Sequence, residues 1–358
     1  MFDRRDLAET DPFLSSFLEA PETKSRHAVD TAGRSIQLES RISVMFRHSG
    51  WHEDRMRIAK SLVRTDQPDH RREAFADCGL QAFVLRSIDD PTRYRVAGSC
   101  CHDRFCLPCA TERSCIIAGN VLDLAKDREL RFLTLTLKSN ETTLKKQLDK
   151  LYVSFQALRR RAFWKRAVSG GVAFLELKRS RSTDRWHPHL HCLLEGTWIG
   201  HTDIRRAWYF ITGDSFIIDI RPIHDNQHAT RYVTKYASKP FNSSFVKRPD
   251  LLDEALVALR NRKLAVTFGR WRGLLLTATP DEGAWEHVAS LSDVIQRAAS
   301  GDDACISILA SLTDKDMAPI YARAPPWEQT VPKPPRRIDQ LDFFGVWQAD
   351  GSFRYRMD

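Results

Sequence analysis

The sequence predicts an α+β fold built on a mainly antiparallel sheet. Three observations carry that expectation. Residues 131–137 (RFLTLTL) alternate, with Leu133, Leu135 and Leu137 on one face and Thr134 and Thr136 on the other. Residues 172–178 (VAFLELK) and 187–194 (HPHLHCLL) repeat that two-residue period. Between the first two runs, Leu144, Leu148, Leu151, Phe155 and Leu158 recur at helical spacing.

Taken in order, residues 1–75 are polar and charged and contain one helix-like stretch, 53–63. Residues 76–127 hold most of the cysteines. The segment 128–275 carries the periodic elements. Its first strand is followed by a helix over 144–168, whose other faces bear Lys145, Lys146, Lys150, Arg159, Arg160, Arg161, Lys165 and Arg166. Gly170 and Gly171 are expected to break that helix, and a strand starts at Val172. It places Ala173, Leu175 and Leu177 on one face and Glu176 on the other. A polar loop (179–185), the strand 187–194, a helix around 203–210, a strand over 216–221 and a helix ending at Pro240 follow. Residues 262–268 read as one more strand, closed by Gly269. Small helices are expected over 281–320, within a helical region 276–324. Residues 325–358 combine a proline-rich linker with a terminal peptide.

A chain of 358 residues suits two or three modest domains. With 42% hydrophobic and 28% charged residues, its balance is that of a soluble globular protein. No run of 18 apolar residues exists, which argues against a membrane span. The N-terminal residues lack an apolar core followed by a cleavage site, so a cytoplasmic (bacterial) protein is expected. The formal net charge of +9 suits a phosphate-rich partner.

The strongest chemical signal is the strand after Trp186. Alternation puts His187, His189 and His191 on one face, with Leu190, Cys192 and Leu194 on the other. Three imidazoles in a row are poor core material, because each needs hydrogen-bond partners. They suit a divalent metal instead. If the flanking strand pairs as a hairpin, Glu176 can approach His189. Two imidazoles with a carboxylate form a mixed nitrogen and oxygen set that fits Mg²⁺ or Mn²⁺. The third ligand, His187 or Glu176, stays open.

A second signal is ATRYVTKYASKP, residues 229–240. Tyr232 and Tyr236 are four apart on one helical face, and Lys235 and Lys239 share that stripe. A phenol is a weak nucleophile because its pKa is about 10. A neighbouring ammonium favours the phenolate, and a metal on a phosphate makes phosphorus more electrophilic.

Eight cysteines are present, five of them between Cys100 and Cys115. Cys101, Cys106 and Cys109 have the spacing C-x4-C-x2-C, which suits tetrahedral zinc. Cys78, followed by Gly79, is the preferred fourth ligand; Cys100, His102 and Cys115 compete. A closed four-ligand site is expected to be structural. Cys192 reads as core.

Together these blocks resemble the HUH endonucleases, specifically rolling-circle replication initiators of plasmids and phages. FLTLT (132–136) is similar to the family's first motif. HPHLH (187–191) resembles the second, in which His189 and His191 would bind metal. YVTKYASK (232–239) resembles the third, with a nucleophilic tyrosine and a nearby lysine. The cysteine cluster resembles a module upstream of the first motif in plasmid initiators. The resemblance implies a palm with a five-stranded antiparallel sheet flanked by helices, plus a small zinc module. It also implies nicking of single-stranded origin DNA, a 5′-phosphotyrosine intermediate and a freed 3′-hydroxyl. Single-tyrosine initiators often carry a glutamate where this chain has Tyr232. That departure points to the two-tyrosine variant, with Tyr236 as first nucleophile.

Two rivals share parts of this pattern. An HUH transposase would use the same chemistry on a mobile element's ends. A non-catalytic zinc-containing DNA-binding regulator would leave the histidines and tyrosines unexplained. No helicase or P-loop motif is visible, so host helicase and polymerase are expected partners. In the tail, Gln340, Leu341, Phe343 and Phe344 (within QLDFF) resemble the short peptide by which bacterial replication proteins dock on the sliding clamp.

Overall fold

The computed structural model describes residues 36–126, 128–180, 182–223, 245–277, 283–313, 346–347 and 353–354. In chain order, the first elements are α1 (Ile36–Arg47), α2 (His52–Arg64), α3 (Asp69–Ala76), β1 (Phe83–Ser87), β2 (Tyr94–Ala97) and α4 (Leu107–Ala125). There follow β3 (Leu130–Thr136), α5 (Leu144–Arg159), α6 (Ala162–Ala167), β4 (Val168–Arg179), β5 (Trp186–Gly196), α7 (His201–Thr212) and β6 (Ile218–Ile223). After residue 244 come α8 (Pro249–Ala258), β7 (Ala265–Gly269), β8 (Trp285–Ser290), α9 (Leu291–Ala299), α10 (Asp303–Leu312), β9 (Val346–Trp347) and β10 (Phe353–Arg354). Two compact units result: Thr111–Thr279, and the combination of Met1–Ala110 with Pro280–Asp358.

The unit Thr111–Thr279 is built on a five-stranded sheet of order β6-β3-β5-β4-β7. Every neighbouring pair is antiparallel. The alternation of β3, β4 and β5 decides which side chains share a face. Leu133, Leu135, Ala173, Leu175, Leu190 and Cys192 are buried on one side. There α5 lays down its stripe of Leu144, Leu148, Leu151, Phe155 and Leu158, and Phe155 meets Phe268 edge-on at 5.5 Å. Thr143 caps α5 by accepting a hydrogen bond from Lys146 N. Glu254 of α8 accepts from Leu144 N at 2.7 Å and from the Trp186 indole, tying the starts of α5 and β5 together. The Trp208 indole of α7 donates to the Thr136 carbonyl at 2.9 Å.

The other side of the sheet is covered only in part. Ala118, Val121, Leu122 and Ala125 of α4 form a core with Leu130, Phe132, Val172, Phe174, Leu193 and Trp271. Along β5 this core stops at Leu193, and the residues toward the strand's start are His191, His189 and His187.

In the other unit, β1 pairs with β2 and with β8, both antiparallel. One side of this sheet packs through Val84, Tyr94, Val96 and Ala289 on α9 and α10, around Leu291, Val294, Ile295, Ala298 and Ile308. Cys305 belongs to this core. Ser290 and Asp302 cap the two helices by accepting from Asp293 N and Cys305 N, each at 3.1 Å.

Three local expectations change. The helix predicted over 144–168 divides into α5 and α6, and β4 begins at Val168. Both glycines thus lie inside the strand rather than ending a helix. Burial of Trp164 turns the chain early, and Gly171 is needed because a Cβ there would press on the Leu193 carbonyl oxygen. Residues 285–290, expected as helix, form a strand because β1 offers an edge and Ala289 a core position. The small sheet containing β1 and β2 was not read from the cysteine region.

No helix among the described residues is long and apolar enough to cross a membrane. The tail peptide Gln340, Leu341, Phe343 and Phe344 lies outside the described residues. Replacing Gly171 by alanine should force β4 and β5 apart, lowering stability by about 3 kcal/mol, read from the urea midpoint. An unchanged midpoint would mean the two strands tolerate a side chain between them.

Candidate metal centres

The histidine face is assembled by register. Thr136 and Glu176 stand opposite His189 on the two sides of β5, and Thr134 and Phe174 stand opposite His191. Lys178 stands opposite His187. These side chains therefore point to one side of the sheet.

His191 is 4% exposed and engaged at both ring nitrogens. Its Nδ1 lies 3.1 Å from Thr134 Oγ1 and its Nε2 lies 2.8 Å from Glu176 Oε2. Phe132 stacks on its ring with centroids 5.6 Å apart. The expected approach of Glu176 to His189 is thus only half met. The backbone register pairs them, but the carboxylate bends to the next histidine.

His189 is held on one side only. Its Nδ1 lies 3.0 Å from Thr136 Oγ1, while its buried Nε2 has no hydrogen-bond partner. Leaving such a nitrogen unmatched costs about 1–3 kcal/mol. If Thr136 accepts Nδ1–H, the Nε2 lone pair is left without a donor. His187 packs against His189 with ring centroids 4.4 Å apart, and His189 stacks toward His191 at 5.9 Å.

The electrostatics follow from burial and these contacts. Burial, with help from the adjacent His187 and His191, brings the His189 imidazole down to about 3. Burial also lowers His187. For Glu176, burial opposes ionisation, but the hydrogen bonds from His191 and Lys178 outweigh it and hold the carboxyl at about 2. The face thus offers neutral imidazole and ionised carboxylate, the protonation states that ligate a cation.

The donor chemistry fits a divalent ion. Two ligands bound side by side at about 2.1 Å stand roughly 3 Å apart, close to the separation of His191 Nε2 and Glu176 Oε2. The orphaned His189 Nε2 supplies a further nitrogen. The donors are less gathered than the sulfurs described next, so side-chain rotation must close the set. Among the described residues, only cysteine-based groups bring three or more ligand atoms within 4.8 Å of one another.

That gathered site consists of Cys78, Cys101, Cys106 and Cys109, and it could hold a metal ion such as zinc. Cys78 lies 3.5 Å from Cys109 and 3.7 Å from Cys106, and Cys101 lies 3.7 Å from Cys109, sulfur to sulfur. Hydrogen bonds from Cys101 and Cys106 hold the Cys78 thiol down at about 4. Hydrogen bonds from neighbouring cysteines also depress Cys109.

Two strand-like hydrogen bonds bring Cys78 to the others: Gly79 N to Ser99 O at 2.7 Å and Ser99 N to Leu80 O at 2.9 Å. Arg47 donates to Cys78 and Cys109 sulfurs at 3.4 and 3.3 Å. Buried Arg55 fixes the Phe75 and Ala76 carbonyls just before Cys78. Four thiolates on a divalent ion form a doubly negative centre, which these two guanidiniums offset. His48 Nε2 approaches Cys106 at 3.7 Å.

Sequence reasoning did not assign Arg47, His48 and Arg55 to this centre, because residues so far upstream carry no spacing signal. It also left Thr134, Thr136 and Lys178 without roles. Their signal is the alternation that separates Thr134 and Thr136 from Leu133 and Leu135 and carries Lys178 onto the face of Glu176. Tyr232, Lys235, Tyr236 and Lys239 lie outside the described residues.

The fold and the two centres define an α+β protein with a histidine–carboxylate face and a four-cysteine cluster. Residues 93–198 match the profile of the family described as Replication protein. Over that stretch, from β2 through Cys101, Cys106, Cys109 and the histidines to the end of β5, the chain is similar to replication proteins; Cys78 lies before it. No curated protein and no solved structure matches it.

Two outcomes are expected. The purified protein should carry about one tightly held zinc per chain, lost in C106S, by elemental analysis. Folded protein free of zinc would overturn that assignment. In metal-free protein, His189 stays neutral well below the ordinary 6.5, so protonation favours the unfolded chain. The stability this supplies is whole above pH 6.5 and drains as pH falls toward 3. Glu176 adds its loss only below its ordinary 4.5. H189N should therefore flatten the urea-measured stability between pH 6.5 and 4.5; an unchanged slope would mean His189 is not held neutral.

Proposed function

We propose that the chain is a rolling-circle replication initiator that nicks and rejoins single-stranded DNA at an origin. One observation carries the reading most directly. Neutral His189, with an unmatched nitrogen, stands beside the His191–Glu176 pair on the central strand of an antiparallel sheet, within the stretch similar to replication proteins.

His189 and His191, with Glu176 and with His187 at the rim, would hold Mg²⁺ or Mn²⁺. When bound, that ion would polarise the scissile phosphate. The Tyr236 hydroxyl attacks phosphorus. A bond forms between its oxygen and phosphorus, the bond to the 3′-oxygen breaks, and that oxygen leaves as a hydroxyl after taking up a proton. The enzyme keeps the 5′-phosphate as a tyrosine ester. Lys239 or Lys235 offsets the phenolate charge, and Tyr232 performs a second transfer that closes the circle. A host helicase supplies unwinding and a polymerase extends the free 3′-end. Gln340, Leu341, Phe343 and Phe344 dock a sliding clamp and so hold the polymerase near.

The test is a cleavage assay on single-stranded origin oligonucleotides. Y236F should give no covalent adduct, since a phenyl ring has no nucleophile. Full adduct formation would pass the first role to Tyr232 or end the mechanism. H189A and H191A should each lower nicking at least a hundredfold while folding survives. Undiminished nicking by both, in chelator, would remove the divalent site. A wild-type protein that binds DNA but never cuts it would favour a non-catalytic regulator.

A further inference from the structure

The Glu176 carboxylate is contacted twice at the same oxygen. His191 Nε2 lies 2.8 Å from Oε2, and Lys178 Nζ lies 2.7 Å from it. Lys178 reaches it from two residues along β4, with its side chain 41% exposed, while Glu176 is 13% exposed. We propose that Lys178 is a built-in competitor for the divalent ion, occupying the Glu176 oxygen until metal displaces it toward the DNA phosphate. The proposal rests on reading His189, His191 and Glu176 as the divalent site.

The physical case begins with Glu176. A largely buried carboxylate without a cation is costly, so in metal-free protein something must neutralise it. His191 satisfies Oε2 through a proton, which a metal can replace. Lys178 satisfies it through a permanent positive charge, which cannot share the space with a divalent ion. Metal binding therefore requires the ammonium to leave. The lysine stem allows this, being flexible and half in solvent.

Once it has moved, a divalent ion and an ammonium face a single carboxylate. The surplus is positive and invites an anion, and a phosphodiester supplies one. Metal and DNA affinities are coupled through this lysine. Removing its charge should change them in opposite directions. A lysine that merely stabilised β4 would not do this.

The measurement is calorimetric titration of Mn²⁺ into full-length wild type, K178Q and K178M, with K178R as the charge-keeping control and H189A as the ligand control. Fluorescence anisotropy then reads affinity for a labelled single-stranded origin oligonucleotide in Mn²⁺. K178Q and K178M should bind Mn²⁺ about tenfold more tightly than wild type and the oligonucleotide several-fold more weakly, with K178R near wild type. If wild type binds Mn²⁺, H189A abolishes it, and both neutral variants bind no tighter than wild type, the competitor role is wrong while the divalent site stands. If neither wild type nor the neutral variants bind Mn²⁺, the divalent site itself falls, and the competitor role with it.

Discussion

The antiparallel register of β3, β5 and β4 is the constraint on which the histidine face depends. It is set by backbone hydrogen bonds and by the burial of the opposite face. A slip of one residue would turn His187, His189 and His191 into the layer occupied by Leu190 and Cys192. The same register puts Thr134 and Thr136 beside the two inner histidines and Glu176 across from them. Orientation of imidazoles by hydroxyls is therefore a property of the sheet, not of a loop. Rigid placement matters where several ligands must converge within tenths of an ångström.

The sheet needs burial on both sides, yet a reactive site needs one side open. The chain resolves the conflict along the strands. Its far end is sealed by α4 through Phe132, Val172, Phe174 and Leu193, and its near end is left polar. Phe132 marks the border, one face stacked on His191. This explains why His191 is buried and fully partnered while His187 is half exposed. Between them His189 keeps one ring nitrogen unmatched, and burial lowers its pKa.

The cysteine cluster answers a different need. It lies in the unit whose core is drawn from short elements: β1, β2, β8 and the helices α1, α9 and α10. Small cores benefit from a cross-link, and a four-sulfur centre with Arg47 ties together segments around residues 47, 78 and 101–109. Arg55 then has a reason to be buried and Arg47 to turn toward the sulfurs, since both answer charge that the sulfurs create.

The sequence made part of this legible, and the limits are physical. Alternation in β3, β4 and β5 was strong enough to give faces, because each strand has an apolar run on one side: Leu133 and Leu135, Ala173 to Leu177, Leu190 to Leu194. Spacing gave the cysteines, because C-x4-C-x2-C has few other uses at this density. What stayed hidden depends on distance along the chain. Arg47 and Arg55 act on sulfurs tens of residues away, and β8 becomes a strand only because β1 offers an edge. Glu176 is the most instructive case. Periodicity placed it on the face opposite Leu175 and Leu177, and only an assumed hairpin brought it near His189; nothing in the period says which histidine a flexible carboxylate will choose. Its oxygen takes His191 and Lys178 together and leaves His189 Nε2 unmatched, so the choice belongs to side-chain contacts rather than to the strand. Backbone patterns thus delimit a site, while the charges within it decide which donors are paired and which are left for a ligand.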